Sequence, residues 1–212
     1  FLNKKILEMK ITVFGSGYVG LVTSTCFADL SHKVCCFDID SHKINNLKRG
    51  EIDIYEPGLK KMVLRNQKNK RLKFSSCLDE SINFSDFIFI CVGTPEKKDG
   101  SADLQFVKNA VESIATMAVK NKIVVIKSTV PPGTANDIQN TFNSQLRNKN
   151  ISVKVASNPE FLREGSAIKD FLKPDRVIIG IQNKEVAPKF KKLYSSIHSE
   201  IKLIFMDVLS AE

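Results

Sequence analysis

Short apolar runs alternate along the chain with stretches of helical periodicity. The runs at residues 86–92 and 122–127 are almost continuously apolar, as is typical of parallel strands that are buried on both faces. Between them, residues 103–120 carry apolar side chains at helical spacing, with lysines and acids on the opposite face. This alternation predicts an α/β fold, a doubly wound parallel sheet with helices on both faces.

Seven strands are expected from these runs, with no domain boundary between them. Their predicted positions are residues 11–14, 33–38, 86–92, 122–127, 153–157, 176–181 and 201–206. The basic stretch from Arg65 to Lys73 is expected to be an exposed helix end and turn. Residues 1–8 lack the long apolar core of a signal peptide. They are expected to be a short extension before a single domain over residues 9–212.

A glycine pattern follows the first strand. Gly15, Gly17 and Gly20 have the G-x-G-x-x-G spacing, which permits a tight strand-to-helix turn, close approach of the backbone to a pyrophosphate, and close packing of helix on strand. The second strand ends at Asp38, 18 positions after Gly20, near the offset at which a carboxylate meets an adenosine ribose. Glycine turns are common in proteins without ligands, but the two features together predict a dinucleotide site in a Rossmann-like fold.

Other loops follow the carboxyl ends of later predicted strands, the edge where ligands bind in open α/β sheets. Residues 93–101 form either a wall of the site or a plain Gly-Pro turn. The next loop carries Thr129 ahead of two prolines, which would hold its hydroxyl in place. A third loop follows the strand at residues 153–157.

That third loop, residues 158–165, is predicted to be one short helix. Asn158 is a favoured N-cap, Pro159 is a favoured first helical residue, and Gly165 is a favoured residue at a helix end. Glu160 and Glu164 would then share one helix face. Two interpretations remain open. The carboxylates serve as acid–base or hydroxyl-binding groups, or they lie on an exposed face paired with Arg163 or Lys169.

Composition narrows the classes of function. The chain has 212 residues and a formal net charge of +9. Its lysines are spread along the chain and it has no tryptophan, so a solvated surface is favoured over a nucleic-acid site. A mild positive field would suit an anionic small substrate. No apolar run approaches the roughly 20 residues of a membrane helix, so no membrane span is expected.

The cysteine usage indicates a reducing cytoplasm. The five cysteines form an odd count without C-x-x-C spacing: Cys26, Cys35, Cys36, Cys77 and Cys91. Three of them lie in predicted buried strands, where cysteine behaves as a small apolar residue. Neither a disulfide framework nor a metal site is therefore expected.

Six motifs, taken in order, resemble the N-terminal NAD-binding domain of the UDP-glucose/GDP-mannose dehydrogenase family, over residues 9–212. They are FGSGYVG at 14–20, FDID at 37–40, YEPGL at 55–59, CVGTP at 91–95, STVPPGT at 128–134 and NPEFLREG at 158–165. The resemblance implies NAD-dependent oxidation of the C6 alcohol of a nucleotide sugar to a carboxylate, in two hydride transfers. Residues 160–162 resemble both the UDP-glucose and the GDP-mannose branches of the family. Residues 173–176 more closely resemble the branch that converts UDP-glucose to UDP-glucuronate, a product used in polysaccharide biosynthesis.

The resemblance also implies the site residues. The pyrophosphate and adenosine side would be held by Gly15, Ser16, Gly17, Tyr18, Val19, Gly20, Asp38 and Lys43. The rest of the cofactor would be bordered by Val92, Gly93, Thr94, Thr129 and Glu164. The substrate would be lined by Glu160, Phe161, Leu162, Arg163 and Glu164. Thr129 and Glu160 would position a catalytic water. NAD is implied rather than NADP, since the Asp38 carboxylate would repel a 2′-phosphate.

The family's nucleophilic cysteine lies in a later glycine-rich motif, beyond a central helix. Neither of these, nor the UDP-binding domain, occurs in this sequence, and Cys91 lies inside a predicted strand. These residues are therefore expected to be the cofactor-binding half of the enzyme, inactive alone in the full oxidation. The family protein is expected to form a homodimer or larger assembly. The open alternatives are a GDP-mannose 6-dehydrogenase and an NAD-binding module without catalysis.

Overall fold

The computed structural model describes residues 8–197 and 202–212, and within them eight strands form one sheet. The strands are β1 (Lys10–Phe14), β2 (Lys33–Phe37), β3 (Leu72–Ser75), β4 (Phe87–Ile90), β5 (Lys122–Ile126), β6 (Val153–Ser157), β7 (Arg176–Ile181) and β8 (Lys202–Met206). Their order across the sheet is β3-β2-β1-β4-β5-β6-β7-β8. Residues 1–7 of the predicted extension, and Ile201 of the last predicted strand, lie outside the described ranges.

Helices cover both faces of the sheet. They are α1 (Tyr18–Asp29), α2 (Ser41–Lys48), α3 (Leu59–Lys68), α4 (Leu78–Phe84), α5 (Gln105–Met117), α6 (Thr134–Gln145), α7 (Ala167–Leu172), α8 (Ala187–Leu193) and α9 (Val208–Ala211). A short 3₁₀ turn, Lys184–Val186, precedes α8. No helix in the described ranges is long and apolar enough to cross a membrane.

The core has two layers, one on each face of the sheet. The first contains apolar side chains of α1, α3, α7 and α8, and the second those of α4, α5 and α6. Successive residues of the central strands point to opposite layers, so Phe89 packs in the first and Ile90 in the second. This arrangement explains why these strands are apolar at every position, and it confirms the predicted doubly wound architecture.

Two elements between residues 65 and 84 differ from the prediction or were missed by it. The basic stretch at 65–73 was expected to be only a helix end and turn, but Leu72 begins a strand, β3, at the edge of the sheet. Leu72 and Phe74 are buried and Lys73 between them is exposed. Four residues give too short an alternation to stand out among lysines. Helix α4 follows directly and was also missed.

The sheet is not parallel throughout, as the sequence analysis expected. β7 runs antiparallel to β6, with Ser157 opposite Gly180, while β8 is again parallel to β7. The connection from β6 to β7 therefore starts and ends at the same edge of the sheet, so it needs no crossover. This connection, residues 158–175, starts at the carboxyl end of β6, and its helix α7 packs against α1.

Candidate functional site

The strand order reverses between β1 and β4, and the loops that follow these two strands diverge there. The two loops begin side by side, because the Cys91 amide donates a 2.8 Å hydrogen bond to the carbonyl of Phe14. In doubly wound sheets the crevice at such a switch point is where ligands bind. The sheet therefore places the glycine pattern at its ligand-binding edge.

The glycine loop is shaped by close backbone contacts. Gly15 has φ +97°, and a Cβ atom there would lie 2.7 Å from the carbonyl oxygen of Cys91. A Cβ atom on Gly20 would lie 2.0 Å from the carbonyl oxygen of Gly15. Around Gly17, in contrast, a Cβ atom would meet nothing within 4 Å. The open side at Gly17 leaves the backbone and the N-terminus of α1 accessible to a phosphate, which fits a bound dinucleotide.

Asp38 is tied directly to this loop. Its Oδ2 accepts hydrogen bonds of 2.7 Å from both the amide and the hydroxyl of Ser16, and its Oδ1 accepts one of 3.1 Å from the Asp40 amide. Partial burial works to raise the pKa of Asp38, but the bonds from Ser16 and Asp40 and the charge of Lys43 outweigh it and lower the pKa. The carboxylate is thus ionised and can accept hydrogen bonds from ribose hydroxyls.

A cavity of about 380 Å³ opens beside Asp38 and runs along the switch point. It is lined mainly by apolar residues: Phe14, Phe37, Ile39, Leu78, Cys91, Val92, Phe106 and Ala110, with Gly15, Gly17, Gly93, Asp38, Asn109 and Ser113. An apolar slot that ends at a carboxylate suits an adenosine, because the flat base takes the apolar walls and the ribose takes the acid. These observations show that the residues present fit a dinucleotide cofactor.

The loops after β4 and β5 are joined to each other. The Thr94 hydroxyl donates a 2.9 Å hydrogen bond to the carbonyl of Thr129, and the Ser128 hydroxyl donates one of 2.6 Å to the carbonyl of Val92. Both threonines therefore lie at one place on the edge of the sheet. Of the two interpretations of residues 93–101, this contact favours a wall of the site.

Residues 158–165 do not form the predicted helix. Helix α7 begins only at Ala167, so Glu160 and Glu164 do not share a helix face. The physical reason lies in the amides of this loop, which bind carboxylates instead of carbonyl oxygens four residues earlier. The Leu162 amide donates to Glu160 Oε2 at 2.6 Å, and the Arg163 amide donates to Asp170 Oδ2 at 3.0 Å.

One of the two interpretations left open pairs these glutamates with Arg163 or Lys169, but Arg163 binds another partner. The guanidinium binds both carboxylate oxygens of Asp170, at 2.7 and 3.1 Å. These bonds lower the pKa of Asp170 strongly. Glu160 is half-buried and Glu164 is exposed, so both carboxylates remain at the sheet edge although not on a helix.

The start of this loop is fixed by Asn158, which is buried. Its side-chain amide donates to the carbonyl of Ile178 at 2.8 Å, and its Oδ1 accepts from the Tyr194 hydroxyl at 2.7 Å. Lys127 lies beneath the loop, with its ammonium 3.4 Å from the Asn158 carbonyl oxygen. Burial lowers the pKa of Lys127. The loop after β6 is therefore anchored to β5, β7 and the end of α8.

Glu56 was missed as a site residue by the sequence analysis. It is 6% exposed, and its carboxylate accepts hydrogen bonds from Tyr18 of α1 and from the amides of Gly165 and Ile168. The motif at residues 55–59 offered one indication, since it places a carboxylate in a loop just before a helix. Nothing in the spacing, however, links it to residues more than a hundred positions later.

Cys91 is unsuited to nucleophilic chemistry. It is buried behind the glycine loop, and burial raises the pKa of its thiol to about 12. A thiol with such a pKa is almost wholly protonated near neutral pH and is a poor nucleophile. Among the residues that the structure describes, no group of three potential metal ligands comes together.

Comparison with known proteins gives one family. The sequence model of the NAD-binding domain of the UDP-glucose/GDP-mannose dehydrogenase family matches residues 9–198. A UDP-glucose 6-dehydrogenase of Rickettsia bellii is 43% identical over 205 residues, which are 96% of this chain and 46% of the relative. A UDP-glucose 6-dehydrogenase of Rhizobium meliloti is 47% identical over 178 residues, 84% of this chain and 40% of the relative.

Solved structures agree with this result. A UDP-glucose dehydrogenase of the archaeon Pyrobaculum islandicum superposes with a TM-score of 0.91 at 35% identity, covering 100% of this chain and 49% of that one. A GDP-mannose dehydrogenase of Pseudomonas aeruginosa gives 0.89 at 33% identity, covering 96% and 47%. The chain thus spans about half the length of the relatives it matches.

Proposed function

The chain belongs to the UDP-glucose/GDP-mannose dehydrogenase family, and from that premise we propose that it is the cofactor-binding half of an NAD-dependent UDP-glucose 6-dehydrogenase. The observation that carries the proposal is the shared sheet edge, where the glycine loop and Asp38 meet the joined loops of Thr94 and Thr129 and the loop at residues 158–165. A dinucleotide site alone would suit many oxidoreductases. The adjoining loops supply a second site, for the group to be oxidised.

The overall reaction converts a primary alcohol and one water to a carboxylate. Four electrons leave the carbon as two hydrides, for which bound NAD would supply the acceptor, and three protons are released. The chain's own contribution is to bind, orient and deprotonate. The glycine loop and the N-terminus of α1 hold the pyrophosphate with backbone N–H groups. Asp38, assisted by Lys43, holds the adenosine ribose.

The reacting carbon belongs at the loops after β4, β5 and β6. Val92, Gly93 and Thr94 would border the cofactor, and the Thr94–Thr129 bond keeps the two loops together. Thr129 is exposed and Glu160 is half-buried, and together they would position and activate the water of the second step. Residues 160–164 line the sugar, and Glu164 also contacts the cofactor.

In the family's route, the aldehyde of the second oxidation adds a cysteine thiol, and hydride loss from this adduct gives a thioester, which the activated water hydrolyses to carboxylate and free thiol. Buried Cys91 does not supply this nucleophile. We place that nucleophile outside residues 1–212, in a part of the protein that also binds the uridine diphosphate. We further propose a cytoplasmic protein whose full-length form is at least a homodimer.

Binding and turnover of the 212-residue polypeptide test this function. Calorimetry is expected to show binding of NAD and much weaker binding of NADP. Incubation with UDP-glucose and NAD is expected to give no net UDP-glucuronate. A parallel incubation with GDP-mannose tests the alternative substrate. Equal affinity for NADP would contradict the cofactor assignment. Steady formation of UDP-glucuronate would contradict the proposal that the nucleophile lies outside residues 1–212.

A further inference from the structure

Glu56 lies in the loop before α3, outside the residues to which the proposed function gives a role. Its side chain is buried, yet it binds two separate parts of the molecule. Oε2 accepts hydrogen bonds from the Tyr18 hydroxyl at 2.5 Å and from the Gly165 amide at 2.8 Å. Oε1 accepts one from the Ile168 amide at 3.3 Å. A buried carboxylate that accepts hydrogen bonds from three donors is fixed in place.

The two parts joined by Glu56 are the two halves of the proposed site. Tyr18 is the first residue of α1 and follows Gly17, the open position of the pyrophosphate cradle. Gly165 lies at the end of the loop that carries Glu160 and Glu164, and Ile168 lies in the first turn of α7, which follows this loop. The Tyr18 hydroxyl also accepts from the Gly165 amide at 3.3 Å, so tyrosine, carboxylate and loop form one hydrogen-bonded cluster.

The end of the loop near Gly165 has sparse apolar packing, so polar contacts hold it. Residues 163–165 are exposed, and Gly165 has φ +84°. A segment with few buried apolar contacts opens at low free energy unless specific hydrogen bonds hold it. Glu56 supplies such bonds, and the Tyr18 hydroxyl holds the same carboxylate through Oε2.

We propose that Glu56 is a positioning residue that couples the pyrophosphate cradle to the loop at residues 158–166. Binding of the dinucleotide orders Gly17 and Tyr18, and Glu56 transmits this order to the Gly165 and Ile168 amides. The substrate loop is then set before the sugar binds. The coupling rests on the proposed function, since its ligand is NAD. The hydrogen-bonded cluster itself does not depend on NAD.

Hydrogen–deuterium exchange of the 212-residue chain, followed by NMR, tests the coupling. NAD is expected to slow exchange of the Gly165 amide by at least about fivefold in the wild type, the lower end of typical coupling between sites. Glu56→Gln, which removes the charge and turns an N–H donor toward the loop amides, is expected to abolish this effect. By linkage, the variant should bind NAD more weakly by the same factor. Asp53→Asn, in the same segment but exposed, is the matched control and should behave as the wild type.

A tyrosine titration without NAD tests the cluster separately. The chain has three tyrosines and no tryptophan, so tyrosinate absorbance is simple to assign. Tyr55 is 86% exposed, whereas Tyr194 is buried. Burial and the Glu56 hydrogen bond raise the pKa of Tyr18 to about 12. Glu56→Gln should lower this midpoint in a chain that circular dichroism shows to be folded, and Asp53→Asn should not.

The outcomes separate the two proposals. If the wild type binds NAD but the Gly165 exchange does not respond, or if the response survives in Glu56→Gln, the coupling is wrong and the proposed function stands. If the wild type binds no NAD, both fail. An unchanged Tyr18 midpoint in the variant would overturn the cluster itself.

Discussion

A Cβ atom on Gly20 would lie 2.0 Å from the carbonyl oxygen of Gly15, so the first turn of α1 rests directly on the backbone that leaves β1. The Gly15 segment is held in place, because the Gly15 amide donates to the Phe37 carbonyl at 2.8 Å. Gly17, between these two glycines, has φ −68° and open space around it. The pattern therefore contains glycines required for folding and one glycine available to a ligand.

Alanine substitutions separate these two roles. Gly20→Ala should destabilise the fold by about 3 kcal/mol or more, because a methyl group has no room against the Gly15 carbonyl. Gly17→Ala should leave stability within about 1 kcal/mol of the wild type, since its backbone conformation suits alanine. It should nevertheless weaken NAD binding by roughly tenfold or more, because the methyl group occupies the approach to the pyrophosphate. Urea denaturation and calorimetry measure the two effects, and loss of stability in Gly17→Ala would refute the assignment.

Asp38 should determine both affinity and cofactor choice. Asp38→Ala removes an acceptor for the ribose hydroxyls, and a hydrogen bond to a charged group contributes about 1.5–3 kcal/mol, so NAD affinity should fall by roughly tenfold to a hundredfold. The preference for NAD over NADP should shrink at the same time, because the repulsion of a 2′-phosphate is lost. Calorimetry with both cofactors gives the ratio. Unchanged NAD affinity would remove Asp38 from the site.

Stability should fall in mildly acidic solution because of His32. Its ring is buried, with Nε2 donating to the Leu193 carbonyl at 2.9 Å and Nδ1 accepting from the Met9 amide at 3.3 Å. Burial lowers the pKa of His32 below its ordinary value of 6.5. Below pH 6.5 the unfolded chain therefore binds more protons at this histidine than the folded chain does. The free energy of unfolding should decrease as pH falls through 6.5 toward the folded-state pKa. For one proton, the decrease is at most about 1.4 kcal/mol per pH unit.

Urea denaturation at a series of pH values between about 7.5 and 5.5 measures this dependence. His32→Gln should be less stable near neutral pH and should have a flatter profile, because it has no proton to bind. Exposed His42→Gln is the matched control and should keep the wild-type slope. An equal slope in His32→Gln would assign the dependence to other groups.

The sequence predicted most of the fold because each central strand is buried on both faces and reads as an apolar run. It failed at β3, where four residues at the end of a basic stretch alternate too briefly to be recognised. It also missed the reversal of β7, because β7 is as apolar as a parallel strand and its direction depends on where the preceding loop returns to the sheet. Strand direction is a property of the connection and not of the strand.

In the site, the residue preferences of turns and helix ends predicted the glycine loop correctly, but they gave a wrong helix at residues 158–165. The glycines act through the backbone next to them, so their spacing alone carries the geometry. Asn158, Pro159 and Gly165 are good helix-boundary residues, but carboxylates bind the loop amides that a helix would need. Glu160 belongs to the loop itself, Asp170 lies in α7, and Glu56 lies more than a hundred residues earlier. No periodicity reports on a partner that arrives from another part of the chain.

The competition for these amides gives a last prediction, for Asp170→Asn. Asp170 holds the Arg163 amide and guanidinium and also accepts from the Ser166 hydroxyl at 3.1 Å. The neutral amide cannot pair with the guanidinium as the carboxylate does, so the exposed loop should open more often. Limited trypsin digestion should then cleave after Arg163 on the order of tenfold faster, because cleavage follows the population of the open loop. Asp175→Asn makes the same charge change at an exposed position of the same connection and should be cleaved at the wild-type rate. Equal cleavage of the two variants would show that Asp170 does not hold the loop closed.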